Sequence, residues 1–121
     1  MATPNLVNVA TITPSNAMGN LGDTNRTTMI DVAAEYAAKV DTILIANTDG
    51  TNACDVTIEI SNDNGGTYYK IGSTISVPAD STLSFLDAIG PIWLDETDLI
   101  AVTAGTASDL SWHVSFSLMA D

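Results

Sequence analysis

A chain of 121 residues with 15 acidic and 3 basic side chains carries a formal charge of -12, and 45% of it is apolar. That apolar content in one domain-sized length predicts a single core burying about two-thirds of the unfolded surface, and it excludes an intrinsically disordered chain. The charge repels phosphate, which excludes DNA, RNA and anionic lipid as partners, and no apolar run approaches the roughly 18 residues needed to cross a bilayer. Cys54 is the single cysteine, so an internal disulfide is excluded, and the N-terminus lacks the basic-then-apolar pattern of a secretion signal.

Along the chain, Leu6, Val7, Val9 and Ile12 form a mildly apolar strand, followed from Pro14 to Asn25 by a stretch rich in Gly, Asn, Ser and Thr. Residues 1–26 therefore read as an N-terminal arm and linker, and residues 27–121 as the folded domain. The arm has two destinations: the first strand of its own sheet, or the edge of a neighbouring subunit's sheet, where main-chain hydrogen bonds would hold it. Strand patterning resumes at Thr27. Ala33 to Lys39 has helix-forming composition but is too short for more than one helical turn. Ile43, Leu44, Ile45 and Ala46 are apolar without alternation, as expected of a strand covered on both faces, which places Val40 to Asn47 in the middle of a sheet or at a subunit contact.

From there the period is two. Cys54, Val56, Ile58 and Ile60 predict a core face, with Asp55, Thr57, Glu59 and Ser61 facing water. Tyr68 to Val77, Ser81 to Leu86 and Leu99 to Ala104 have strand composition. In the last run Trp112, Val114, Phe116 and Leu118 oppose Ser111, His113, Ser115 and Ser117. Asn47 to Gly50 and Asn62 to Gly66 are turn sequences, each expected to join two antiparallel strands. Pro78 to Asp80, Gly90-Pro91 and the acidic turn Asp95 to Asp98 break the chain again. The expectation is an all-β fold: an antiparallel, jelly-roll-like β-sandwich of about eight strands.

Chemistry is sparse. The single histidine, His113, lies on the polar side of the last strand without the nucleophile, base and orienting acid of a hydrolase. No glycine-rich loop joins a strand to a helix, so no nucleotide site is expected. One cysteine and one histidine cannot build a zinc site within one subunit. The acidic turns at Asp49, Asn62 to Asn64, and Asp95 to Asp98 offer oxygen ligands but lack the spacing of a calcium loop. We therefore expect no enzyme, cofactor or metal. Trp112 alternates with core positions. Trp93, beside Gly90-Pro91, has two readings: a core side chain, or a rim side chain that stacks on a neighbouring subunit or a sugar ring. Tyr68 and Tyr69 point to opposite faces, so one of them is expected to be partly exposed as an interface anchor.

Three blocks carry a resemblance: Met1 to Thr13 (MATPNLVNVATIT), Ile43 to Ile58 (ILIANTDGTNACDVTI) and Ile75 to Leu83 (ISVPADSTL). With the closing stretches Pro91 to Glu96 and Val102 to Leu110, they are similar to small virion structural proteins of tailed bacteriophages, marine and cyanobacterial ones in particular. The resemblance implies a β-sandwich present in many copies on a phage particle, without cofactor. Within that group the expected role is a capsid decoration or cement protein. It would assemble as a homo-oligomer, a trimer in the first reading, and bind the major capsid protein on the outside of the head. The residues expected to make partner contacts are Leu6, Val7, Val9 and Ile12 in the arm, with Tyr68 and Trp93. The competing reading is a tail, neck or fibre module that binds a receptor or glycan through exposed aromatic residues.

Overall fold

Nine antiparallel strands account for the fold in a computed structural model that describes residue 7 and residues 9–87 and 89–120. The strands are β1 (Thr11–Asn20), β2 (Thr27–Asp31), β3 (Tyr36–Asn47), β4 (Cys54–Ser61), β5 (Tyr69–Val77), β6 (Thr82–Ser84), β7 (Ile92–Leu94), β8 (Leu99–Ala104) and β9 (Leu110–Ala120). One sheet has the order β1-β9-β3-β6, with β7 pairing the other half of β3 on the same side; the second has the order β2-β8-β4-β5. This is the strand order of an eight-stranded jelly roll whose sixth strand is shared between two short segments, β6 and β7. No helix is present among the described residues.

The core lies between the sheets and follows the alternation. Val40, Ile43, Ile45, Val56, Ile58, Val102 and Val114 are fully enclosed. Trp112 joins them at 8% exposure, its indole packed against β1 where the chain has Gly19: a Cβ there would lie 3.3 Å from the ring. The β4–β5 connection is a hairpin, as its sequence predicts. Asn64 and Gly65 take the left-handed conformations it needs, with φ of 56° and 92°, which Asn and Gly tolerate best.

Several expectations are corrected. Pro14 to Asn20 is strand rather than tether: β1 pairs with β9 along its whole length, and Leu21 after it is buried. Proline is accepted in β1 because β1 is an edge strand, where a missing N–H breaks no ladder. Ala33 to Lys39 forms a turn and the start of β3, with no helical turn. Ala37 and Ala38 are buried there as small sheet residues, so tertiary pairing overrides helix propensity. Between the breaks at Gly90-Pro91 and Asp95 to Asp98, where no strand is expected, Ile92–Leu94 forms β7.

The Asn47 turn does not make a hairpin. It carries the chain from β3 in one sheet to β4 in the other. Asn47 is buried at this crossing; its Nδ2 donates to the carbonyls of Asn52 and Val77, both at 2.9 Å, and its Oδ1 accepts from the Asp49 N–H at 2.9 Å. β3 is central in its sheet, but only one of its faces is enclosed; Leu44 and Ala46 on the other face are partly exposed. Glu59, assigned to the water face, is 6% exposed because Arg26 covers it.

Candidate interaction surface

The carboxylates of the acidic turns are spent on their own backbones. Asp49 accepts from the N–H of Thr51 at 2.8 Å and of Asn52 at 3.3 Å. Asp63 accepts from the Ser61 hydroxyl and the Thr67 N–H, both at 2.8 Å. These donors, chiefly the Thr51 N–H for Asp49 and the Thr67 N–H for Asp63, stabilise the ionised form and lower both pKa values below the usual carboxylate range. In the third turn Asp98 accepts from the Asp95 N–H at 2.8 Å, and Glu96 from the Glu35 N–H at 2.8 Å. Among the described residues no group of three or more His, Cys, Asp or Glu side chains is placed to hold a metal ion.

Two features stand apart on the surface. On the second sheet, Arg26 grips Glu59 with two contacts, Nε to Oε1 at 3.1 Å and Nη2 to Oε2 at 3.2 Å. Its guanidinium lies 3.7 Å above the centre of the Tyr68 ring. Tyr68 is therefore half-buried beneath a cation, and the outward partner of the pair is Tyr69, which is exposed. The hydrogen bond that Arg26 donates to the Glu59 carboxylate raises the Arg26 pKa.

The other feature is the outer face of the first sheet. Met18, His113 and Leu44 lie side by side across β1, β9 and β3, and Asn20, Ser111 and Ala46 form the next row. Between the rows runs a groove of about 480 Å³. Farther along, Pro14, Ser117, Lys39 and Trp93 make another cross-strand row. The Lys39 ammonium sits 5.9 Å from the Trp93 ring centre and 3.5 Å from Asp41.

The residues expected to make partner contacts do not form one patch. Leu6 lies outside the described residues, Val7 is exposed, and Val9 is half-buried. Ile12 and Trp93, 61% and 51% exposed, stand at opposite edges of the same outer face. Tyr68 belongs to the other sheet's hairpin. Sequence reasoning missed Met18, which is 65% exposed, and Leu44. The available signal was the alternation of Asn16, Met18 and Asn20 with Ala17 and Gly19, hidden in a stretch whose composition reads as linker.

No family model matches the chain, and no curated protein does. Solved structures share the fold. A pilus subunit of Bacillus endospore appendages is 17% identical with a TM-score of 0.52, the alignment covering 91% of this chain and 88% of that one. The core of Drosophila NLP, whose structure was described for pentamer formation and histone binding, is 9% identical with a TM-score of 0.54, over 92% of this chain and all of that one. A chain from the capsid of Helicobacter pylori bacteriophage KHP30 is 7% identical with a TM-score of 0.54, over 92% and 89%. At these identities the likeness is one of fold.

Proposed function

We propose that this protein is a structural subunit of a phage virion that works in several copies, binds the exterior of the head as a decoration or cement protein, and makes or breaks no covalent bond. The observation that carries this reading is the two-sheet jelly-roll strand order, an architecture used repeatedly in capsids. A KHP30 capsid chain has the same fold over most of both lengths, and the sequence resembles small virion proteins of tailed phages. Because a fold alone does not assign a function, the surface adds the second support. Ile12 and Trp93 are large apolar side chains left in water beside a neutral sheet face, as attachment to a neighbour requires.

The attachment we assign to the N-terminal arm is separable from the fold. β1 begins at Thr11, so deleting residues 1–10 leaves the sheet its full edge strand. That truncation is expected to fold with an unchanged circular dichroism spectrum and to lose co-sedimentation with empty phage heads; Ile12→Asp is expected to weaken it. Unimpaired binding by both variants removes the arm from the mechanism. One observation favours the competing tail or fibre reading, the 51% exposure of Trp93. Saturable quenching of tryptophan fluorescence by host polysaccharide, abolished in Trp93→Ala, together with no binding to heads, would replace the decoration role.

A further inference from the structure

We infer that the outer face of the β1-β9-β3 sheet is a self-association surface that pairs with the same face of a second copy of this chain. The inference rests on the proposed many-copy role and names the surface that serves it. Charge placement carries the argument. The chain has 15 acidic residues, yet Asp41 is the one acidic residue within the five strands of this sheet, and Lys39 pairs with it at 3.5 Å. β1 and β9 contain no Asp, Glu, Lys or Arg. The other carboxylates of the described residues lie in the turns and on the other sheet.

That distribution selects the occupant. A basic partner would be drawn to the carboxylates, which are elsewhere, and a neutral face gives it nothing to pair with. Two copies of this chain repel each other through a net charge of -12 apiece unless they meet where the charge is absent, and this face is that place. Its side chains suit sheet-on-sheet packing, in which faces approach to about 10 Å. Ser111, Ser115 and Ala46 are small, the groove between the rows is open, and Met18 beside it is a flexible apolar knob able to fill an irregular gap.

The area is consistent with a reversible contact. From Ile12 to Asn20 the face is roughly 30 Å long, and four strand widths make it roughly 19 Å across. Two such faces bury about 1,200 Å², at the lower end of specific interfaces. A two-fold pairing uses the same patch on both copies, so it fails when both faces carry like charge and returns when the charges are opposite.

The test is sedimentation equilibrium of the full-length chain, of Met18→Glu/Ser115→Glu, of Met18→Lys/Ser115→Lys, and of an equimolar mixture of the two variants. The wild type is expected to associate in the micromolar range. Each double variant should dissociate about tenfold more readily or worse, and the mixture should recover association. Circular dichroism and urea midpoints verify folding, and Ser115→Glu alone substitutes for a double variant that does not fold. A wild type monomeric into the millimolar range, variants that associate as well as the wild type, or a mixture no tighter than its components would each overturn the inference. Head binding is scored separately: variants that still self-associate but no longer bind heads would give this face to the capsid instead. A wild type that self-associates through it but ignores heads would leave the inference standing and remove the decoration role.

Discussion

Gly72→Ala should destabilise the protein by closing a gap between the two sheets. Gly72 is buried in β5 opposite Ile58, and its φ lies outside the left-handed region, so an alanine suits its backbone. The obstacle is steric. A Cβ at this position would lie 2.6 Å from Phe85 Cε1, 3.1 Å from Phe85 Cζ and 3.0 Å from Ile75 Cδ1, where carbon pairs prefer about 3.5 to 4.0 Å. The Ile75 methyl can rotate aside, but Phe85 is held: its ring is buried and its N–H donates to the Ile43 carbonyl at 3.0 Å. Moving that ring by about 1 Å places the cost near the top of the usual overpacking range, about 3 kcal/mol. Loss of glycine's freedom in the unfolded chain returns up to about 1 kcal/mol.

The net expectation is a loss of about 2 kcal/mol, read as a lower urea midpoint with an unchanged m-value and a melting temperature lower by about 8 °C. Phe85→Leu removes the obstructing ring atoms. Combined with Gly72→Ala it should cost less than the two single changes together, with a coupling of about 1 kcal/mol or more. A Gly72→Ala protein within about 0.5 kcal/mol of wild type, or strictly additive energies in the double variant, would refute the steric account.

Arg26→Met should lower the urea midpoint by leaving the buried Glu59 carboxylate without its cation, and Arg26→Met/Glu59→Met should recover most of the loss, since an apolar pair of similar volume tolerates the site. Asp63 has a folded pKa depressed below its ordinary 3.8; its ionised form therefore adds stability above that value, and the contribution is lost as the pH falls through the lower folded value. Asp63→Asn is expected to be less stable than wild type at neutral pH, with the gap closing below about pH 4, as followed by urea midpoints at each pH.

Much of the architecture is legible in the order of side chains, and the reasons for the rest are physical. Alternation placed Cys54, Val56 and Ile58 inward, and Trp112 and Val114 likewise, because a strand with one wet face writes its period into the chain. The turn at Asn64-Gly65 is legible because few residues accept its dihedral angles. The Asn47 turn looks the same by composition; what separates it is the Val77 carbonyl, supplied by a strand 30 residues away. Glu59 reads as solvent-facing until Arg26, 33 positions earlier, folds across it. Continuous apolarity in Ile43 to Ala46 is correctly read as a mid-sheet strand, yet it overstates enclosure: half of those side chains form an outward face that the described residues leave partly exposed.

That outward face reconciles two properties that otherwise conflict. A chain with so large a negative charge resists self-association through long-range repulsion, which salt screens within about 10 Å. Here the turn carboxylates are held by their own backbone N–H groups, so they stay at the ends of the sandwich instead of swinging over the sheet. Contact through β1, β9 and β3 then depends on apolar and small polar side chains, which salt does not weaken, while added salt relaxes the repulsion between the distant turns. Association through this face is accordingly expected to tighten modestly from low to physiological salt. Contact built on ion pairs would loosen instead, so the sign of the salt dependence separates the two kinds of interface.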